Sequence, residues 1–354
     1  MTGPTAIAMA KTGEIRVWIS GWTYKPWRGM FYPAALRQKD ELAFAAGKFR
    51  TIEINGTFYG LQRPESFARW RDDTPEDFVF SVKAPRFITH IRGLRDVEAP
   101  IANFMASGLL ALGPKLGPVL WQFPPRMTFN AALFEPFLAL LPHDTTAAAA
   151  LAQKHDARMD GRDFIEIGGA RKVQHAVEIR HESFAVPEFT RLARRYGVAV
   201  VCADSLEWPR ILEVTADFVY CRLHGSGQLY ASGYDAKALG FWARHAQRWA
   251  DSHDVFIYFD NDMKVKAPEN ALALARRLGI SRGGEKMAKE SKAQERTIEP
   301  VMHEAKEGEL TTGSGKKVKS RKQAVAIALR EAGASIQDTP AKNQRNLGHS
   351  KENE

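Results

Sequence analysis

Eight short β-branched or aromatic segments recur along the first 280 residues, and seven of them are followed by a longer stretch with helical spacing. The candidate strands are Ile15–Ser20, Thr51–Asn55, Phe78–Lys83, Pro118–Gln122, Ala176–Arg180, Val198–Ala203, Phe218–His224 and Val255–Phe259. Between them lie helical patterns over Ala35–Lys48, Pro64–Asp72, Val97–Leu112, Ala131–Leu141, Pro187–Tyr196, Ala236–Ala250 and Pro268–Leu278, several opened by a proline at the first turn. This alternation is the pattern of βα units and a parallel sheet. Eight such strands predict a closed TIM-type (β/α)8 barrel rather than an open doubly wound sheet. Two connections are irregular: Asp204–Asp217 has room for one short helix, and Asp144–Lys172 is an Ala-rich, then charged, insertion.

Aromatic residues then mark a boundary. All 20 Phe, 8 Trp and 8 Tyr fall before residue 281. Residues 281–354 carry 15 Lys/Arg against 11 Asp/Glu and no aromatic side chain, so they cannot bury much surface alone. The predicted organisation is an N-terminal extension over 1–14, a barrel over 15–280, and a basic tail over 281–354, helical or disordered, with a short helix near 321–332. Two cysteines, Cys202 and Cys221, cannot make a disulfide framework and read as reduced, buried thiols. The first residues lack a secretory pattern, and no run of about 18 apolar residues exists, so a soluble cytoplasmic protein with no membrane association is expected.

Polar residues crowd the carboxyl ends of the predicted strands, where the loops of a barrel converge on an active site. They are Ser20 and Trp22, Glu53 and Asn55, Lys83, Gln122, Glu178, Arg180 and His181, Asp204, Arg222 and His224, and Asp260 and Asn261. A salt-bridge layer that merely closes the barrel is the competing reading: Glu53 with Lys83 or Arg180, and Glu178 with Arg222.

The segments SGWTYKPWRGMFYP at Ser20–Pro33, IEINGTFYGLQRP at Ile52–Pro64, FVFSVKAPRFITH at Phe78–His90, GPVLWQFPP at Gly117–Pro125, AVEIRHESF at Ala176–Phe184, YCRLHG at Tyr220–Gly225 and IYFDND at Ile257–Asp262 together resemble the YecE-like family, also called domain of unknown function 72. The resemblance runs over roughly residues 15–280. It implies a TIM-type barrel whose pocket these motifs line, and it implies no reaction. The positions it carries are Trp22, Glu53, Asn55, Phe58, Tyr59, Lys83, His90, Gln122, Glu178, Arg180, His181, Arg222, His224 and Asn261. One departure is visible, because the family's last motif has two adjacent amides where this chain has Asp260 before Asn261.

Two chemistries suit such a set. Glu53, Glu178, Asp204 and Asp260 with His90, His181 and His224 are ligand types for a divalent metal, which leaves metal-assisted hydrolysis or isomerisation open. The spacing of the two-histidine helical zinc motif is absent from both His181-Glu182 and His303-Glu304. The metal-free alternative makes Glu53, Glu178 and His224 the catalytic acid–base groups, with Lys83, Arg180 and Arg222 holding an anionic, phosphorylated or nucleotide-like substrate. Trp22, Asn55, Tyr59, Gln122 and Asn261 complete the candidate substrate-binding set. Strand alternation places Glu178 with Arg180 and Arg222 with His224, and sets His181 on the opposite face. Trp27, Phe31 and Tyr32 read as packing; Trp22 and Tyr59, nearer the strand ends, read as ligand contacts.

The tail, from VMHEAKEGEL through GKKVKSRKQAVAIALREAGAS, resembles a small bacterial domain of unknown function found alone or as an appendage. Lys316, Lys317, Lys319, Arg321 and Lys322 gather at the amino end of its predicted helix, an anion-attracting arrangement. This supports an alternative function, a nucleic-acid-associated accessory protein that binds through the tail with the barrel as scaffold or ligand sensor.

Overall fold

The computed structural model describes residues 12–227, 229–230, 232–261, 266–280 and 317–318. The chain divides into two compact units, Met1–Arg282 and Gly283–Glu354. In the second unit only Lys317, which is exposed, and Val318 are described. Lys316, Lys319, Arg321, Lys322 and the helix expected near 321–332 lie outside the described residues, as do residues 1–11 of the N-terminal extension.

The first unit is an α/β fold with parallel strands. Its strands are β1 Ile15–Ile19, β2 Thr51–Ile54, β3 Val79–Lys83, β4 Leu116–Gln122, β5 His175–Glu178, β6 Ala199–Val200, β7 Cys202–Asp204, β8 Phe218–Leu223 and β9 Asp254–Phe259. They form two all-parallel sheets, one in the order β2-β3-β4-β5-β6 and one in the order β1-β9-β8-β7. The ladders do not join into a single ring. The strand expected over Val198–Ala203 is interrupted at Val201, whose N–H still donates to Val177 O at 2.9 Å while the following residues pair with β8. On the other side β1 and β2 meet through one bridge, Ser20 to Glu53.

The strands are rich in buried apolar residues because both faces are covered. Trp18, Ile19, Ile52, Phe80, Val82, Trp121, Val177, Leu223 and Phe259 are all buried in one continuous core. The faces shared by the two sheets carry polar side chains that meet across them. Thr51 of β2 lies 2.7 Å from the Tyr258 hydroxyl of β9, and Ser81 of β3 lies 2.7 Å from that of Tyr220 on β8.

Helices α1 Glu41–Ala46, α2 Gly56–Tyr59, α3 Pro64–Asp72, α4 Glu98–Ala106, α5 Ala131–Ala139, α6 Thr145–Ala152, α7 Pro187–Arg195, α8 Ala236–Ala250 and α9 Lys266–Leu278 follow the expected order. Several are shorter than their periodicity. The pattern over Val97–Leu112 stops as helix at Ala106 because Gly108 adopts φ +106°, and a Cβ there would lie 2.4 Å from Pro64 Cα. Only glycine lets the chain turn against α3 at that point. The Asp144–Lys172 insertion contains α6, capped by the Asp144 carboxylate on Ala147 N–H. The Asp204–Asp217 connection forms no helix.

Candidate functional site

Alternation along β2, β5 and β8 turns Glu53, Glu178, Tyr220 and Arg222 toward the same interior, at the carboxyl ends of the strands. Arg222 is the hub. Its Nε donates to Glu53 Oε2 at 3.1 Å and its Nη2 to Glu53 Oε1 at 2.9 Å. Nη1 donates to Glu178 Oε2 at 2.8 Å, and Nη2 also reaches Asp260 Oδ2 at 3.0 Å and Ser20 Oγ at 3.1 Å. Gln122 Oε1 stands at 3.5 Å. Ser20 and Tyr220 donate their hydroxyls to Glu53 at 2.8 and 2.7 Å. One guanidinium thus fixes three carboxylates, and Arg222, Glu53 and Glu178 are inaccessible to water. Planar bidentate geometry is what arginine supplies and lysine does not.

His224 follows β8 and is buried beside this hub. Its Nε2 is 2.8 Å from Glu178 Oε1; its Nδ1 lies 3.2 Å from Asp260 Oδ2, at an angle that leaves it without a hydrogen bond. Burial alone raises the Glu178 carboxyl, but Arg180, Arg222 and the His224 contact outweigh it and hold the group well below the usual carboxylate range. Asp260 follows the same balance, with burial opposed by Arg222 and His224, and is likewise held low. Asp260 is the member that reaches toward solvent, its side chain 15% exposed.

A second layer carries positive charge. Burial pushes the Lys83 ammonium down to about 8, with nearby Arg222 adding to the effect. Its Nζ sits 4.3 Å over the Phe58 ring and, among the described residues, has no hydrogen bond or ion pair. The Arg180 guanidinium stacks 3.9 Å from the Trp208 ring centre, donates to Glu178 at 3.3 Å, and leaves a buried Nε without a partner among the described residues. Between these cations stands His90, pushed down to about 4 by burial and by Arg180, Lys83, Arg86 and Arg126. Tyr230, at φ +59°, packs edge-on to His224, and burial raises its phenol to about 12.

Of the residues expected from sequence, the structure therefore brings together Glu53, Lys83, Gln122, Glu178, Arg180, Arg222 and His224. Glu53 pairs with Arg222 rather than with Lys83 or Arg180. Trp22 packs edge-on against Trp70 at 5.4 Å. Asn55 begins α2 with a buried, unbonded Oδ1. Tyr59 projects outward, 75% exposed. Asn261 donates to Ser232 O and Asn270 Oδ1, tying the end of β9 to α9. His181 bonds to Ser183 outside the cluster, as strand parity anticipated. Asp204 is bonded elsewhere, to Arg210 and to Trp242 Nε1.

Sequence reasoning missed three residues. Tyr220 was discoverable, since it lies two positions before Arg222 on one strand face. Trp208 and Tyr230 sit on irregular connections that have no periodicity to read. For a metal, no group of three or more His, Cys, Asp or Glu among the described residues is arranged as a ligand set. Of the carboxylates that would serve, Glu53, Glu178 and Asp260 are bonded to Arg222, and Asp204 to Arg210.

Residues 16–296 match the protein family described as "Protein of unknown function DUF72". The chain belongs to the DUF72 family. Residues 289–343 match a second one, "Family of unknown function (DUF6496)". The UPF0759 protein YecE of Escherichia coli (strain K12) is 35% identical over 79 residues, 22% of this chain and 29% of that protein. The UPF0759 protein YunF of Bacillus subtilis (strain 168) is 33% identical over 100 residues, 27% of this chain and 35% of that one. These matches span about a third of the curated relatives. Among solved structures, a DUF72 family protein from Thermotoga maritima superposes with a TM-score of 0.58 at 24% identity, covering 75% of this chain and 99% of that one. One from Enterococcus faecalis V583 gives 0.56 at 18% identity, covering 77% and 99%. The likeness at such identities concerns the DUF72 fold.

Proposed function

We propose that this DUF72 member is an enzyme whose strand-end cluster binds a small molecule carrying a phosphate or carboxylate. The observation that carries the reading is the pair of buried cationic donors left with capacity to spare: among the described residues the Lys83 ammonium has no hydrogen bond or ion pair, and the Arg180 guanidinium has an unbonded Nε. A buried cation without a partner is unfavourable, and an anionic ligand removes that penalty. Arg222 is excluded from ligand binding in this reading because its donors are spent on Glu53, Glu178 and Asp260, so it organises the site. His224 is held by Glu178 through Nε2 and keeps Nδ1 free beside Asp260, which makes it the candidate general acid or base of the kind hydrolases and isomerases use.

The same contacts support reading the two sheets as one TIM-type barrel. Pairs such as Glu53 with Arg222 and Thr51 with Tyr258 join side chains from different sheets across a shared interior. In such a fold the carboxyl ends of the strands are where chemistry is performed.

The test uses full-length protein. Small molecules extracted from gently purified wild type, Lys83→Met, Arg180→Leu and His224→Gln are compared by mass spectrometry, and the melting temperature of each is followed against inorganic phosphate. Wild type and His224→Gln should retain a co-purifying anion and be stabilised by millimolar phosphate; the two charge variants should do neither. Equal behaviour of folded wild type and Lys83→Met overturns the proposal.

A further inference from the structure

A cavity of about 500 Å³ is lined in part by Phe58, the residue whose ring carries the Lys83 ammonium. That volume suits a small organic ligand. Seven large hydrophobic side chains are exposed among the described residues, and three of them, Tyr59, Phe87 and Ile91, line this one cavity. Phe87 and Ile91 begin and end a single π-helical turn, Phe87–Ile91. Such turns are uncommon and recur at functional sites. Here the turn sends Phe87 and Ile91 to the cavity, while His90, which does not line it, packs edge-on with Phe58 at 5.1 Å between ring centres.

The rim is cationic. Of three arginines lining the cavity, Arg158 is paired with Asp156, which Asn103 also holds. Arg86 and Arg162 have no carboxylate partner among the described residues. Aromatic walls with two unpaired guanidinium groups at the edge complement a flat ring bearing a negative charge. Arginine also stacks on such rings while it pairs with their anionic substituents.

We infer that this cavity is a second binding site, specific for small aromatic anions such as ring carboxylates or sulfonates. It stands apart from the strand-end reading, because none of the groups that define it is needed there.

The probe is 8-anilinonaphthalene-1-sulfonate, whose fluorescence rises in an apolar site, alongside its uncharged relative N-phenyl-1-naphthylamine. Full-length wild type should bind one equivalent of the sulfonate saturably. Arg86→Ser with Arg162→Ser should weaken it at least tenfold, and Ile91→Glu, which places a carboxylate on the exposed rim, should do the same. The uncharged relative should be insensitive to the arginine changes. Circular dichroism confirms that these surface variants keep their fold, and Lys83→Met should bind the sulfonate as wild type does. Sulfonate binding that survives the arginine and Ile91 changes, or that spreads over several weak sites, overturns the inference. Loss in Lys83→Met alone would assign the probe to the strand-end site and overturn it equally.

Discussion

Arg222 grips Glu53 through two parallel bonds, Nε to Oε2 at 3.1 Å and Nη2 to Oε1 at 2.9 Å, with neither side chain exposed to water. Removing one partner of a buried ion pair leaves the other charged and desolvated, which typically costs 3–5 kcal/mol. Arg222 is bonded to three carboxylates, so Arg222→Met should lose at least about that much in urea denaturation, and Arg222→Lys should recover little of it. Tyr220→Phe, which removes one donor to Glu53, should cost only about 1–3 kcal/mol. An Arg222→Met protein as stable as wild type would mean the three carboxylates are protonated or solvated.

Lys83 titrates near 8 in the folded chain against an ordinary 10.5. Between those values the unfolded chain binds more protons, so stability rises with pH there, and below about 8 the buried charge is a burden. Lys83→Met should therefore be more stable than wild type at pH 7, by up to about 3 kcal/mol on an order-of-magnitude basis. Anion affinity should fall as pH rises through about 8 in wild type, and calorimetric titration of phosphate at pH 7 and 9 checks this. A flat profile would remove Lys83 from the site.

His175 is buried, with Nε2 2.7 Å from Pro142 O and Nδ1 accepting from Trp121 Nε1 at 3.1 Å. Burial lowers its pKa from 6.5 to about 3, so it stays neutral while the unfolded chain protonates. Stability from this group is complete above pH 6.5 and is lost as pH falls toward 3, on the order of 3 kcal/mol of it by pH 4.5. His175→Gln should be weaker at pH 7 yet lose less on acidification. Parallel urea curves at pH 7 and 4.5 decide the matter; equal losses in both proteins would show that other groups carry the acid sensitivity.

Gly108 combines φ +106° with a backbone neighbour 2.4 Å from where a Cβ would stand. Left-handed strain of about 1–2 kcal/mol and an overpacking term of about 1–3 kcal/mol add up at Gly108→Ala. A melting temperature within a degree of wild type would show that the loop between α4 and β4 shifts freely.

The two cysteines are buried on paired positions of β7 and β8, and burial pushes the Cys221 thiol well up. Neither should react with a disulfide reagent in native buffer over minutes, and both should react in urea. Prompt labelling of one thiol in native protein would reveal local opening of that strand pair.

Strand positions were legible because β-branched and aromatic runs are bounded by turn residues. The interruption at Val201 was not, since a change of ladder partner leaves no mark in composition. Parity along β5 and β8 placed Glu178 and Arg222 on one interior and His181 off it. Parity gives a face and no distance, so it does not distinguish Arg222 from Lys83 or Arg180 as Glu53's partner. Trp22 and Asn261 sit at strand ends as expected but are consumed by Trp70 and Asn270, contacts that a single sequence does not encode locally.

The hub has a consequence for the order in which the molecule can be completed. Glu53 is followed by 169 positions before its guanidinium partner emerges. At roughly 5–20 residues per second of synthesis that separation lasts on the order of ten to thirty seconds. Throughout it, Glu53 lacks the one group that binds both of its carboxylate oxygens, while Glu178, which emerges later, has Arg180 two residues on. Burying Glu53 in its final geometry therefore waits for β8, which ties completion of the interior to the second half of this unit.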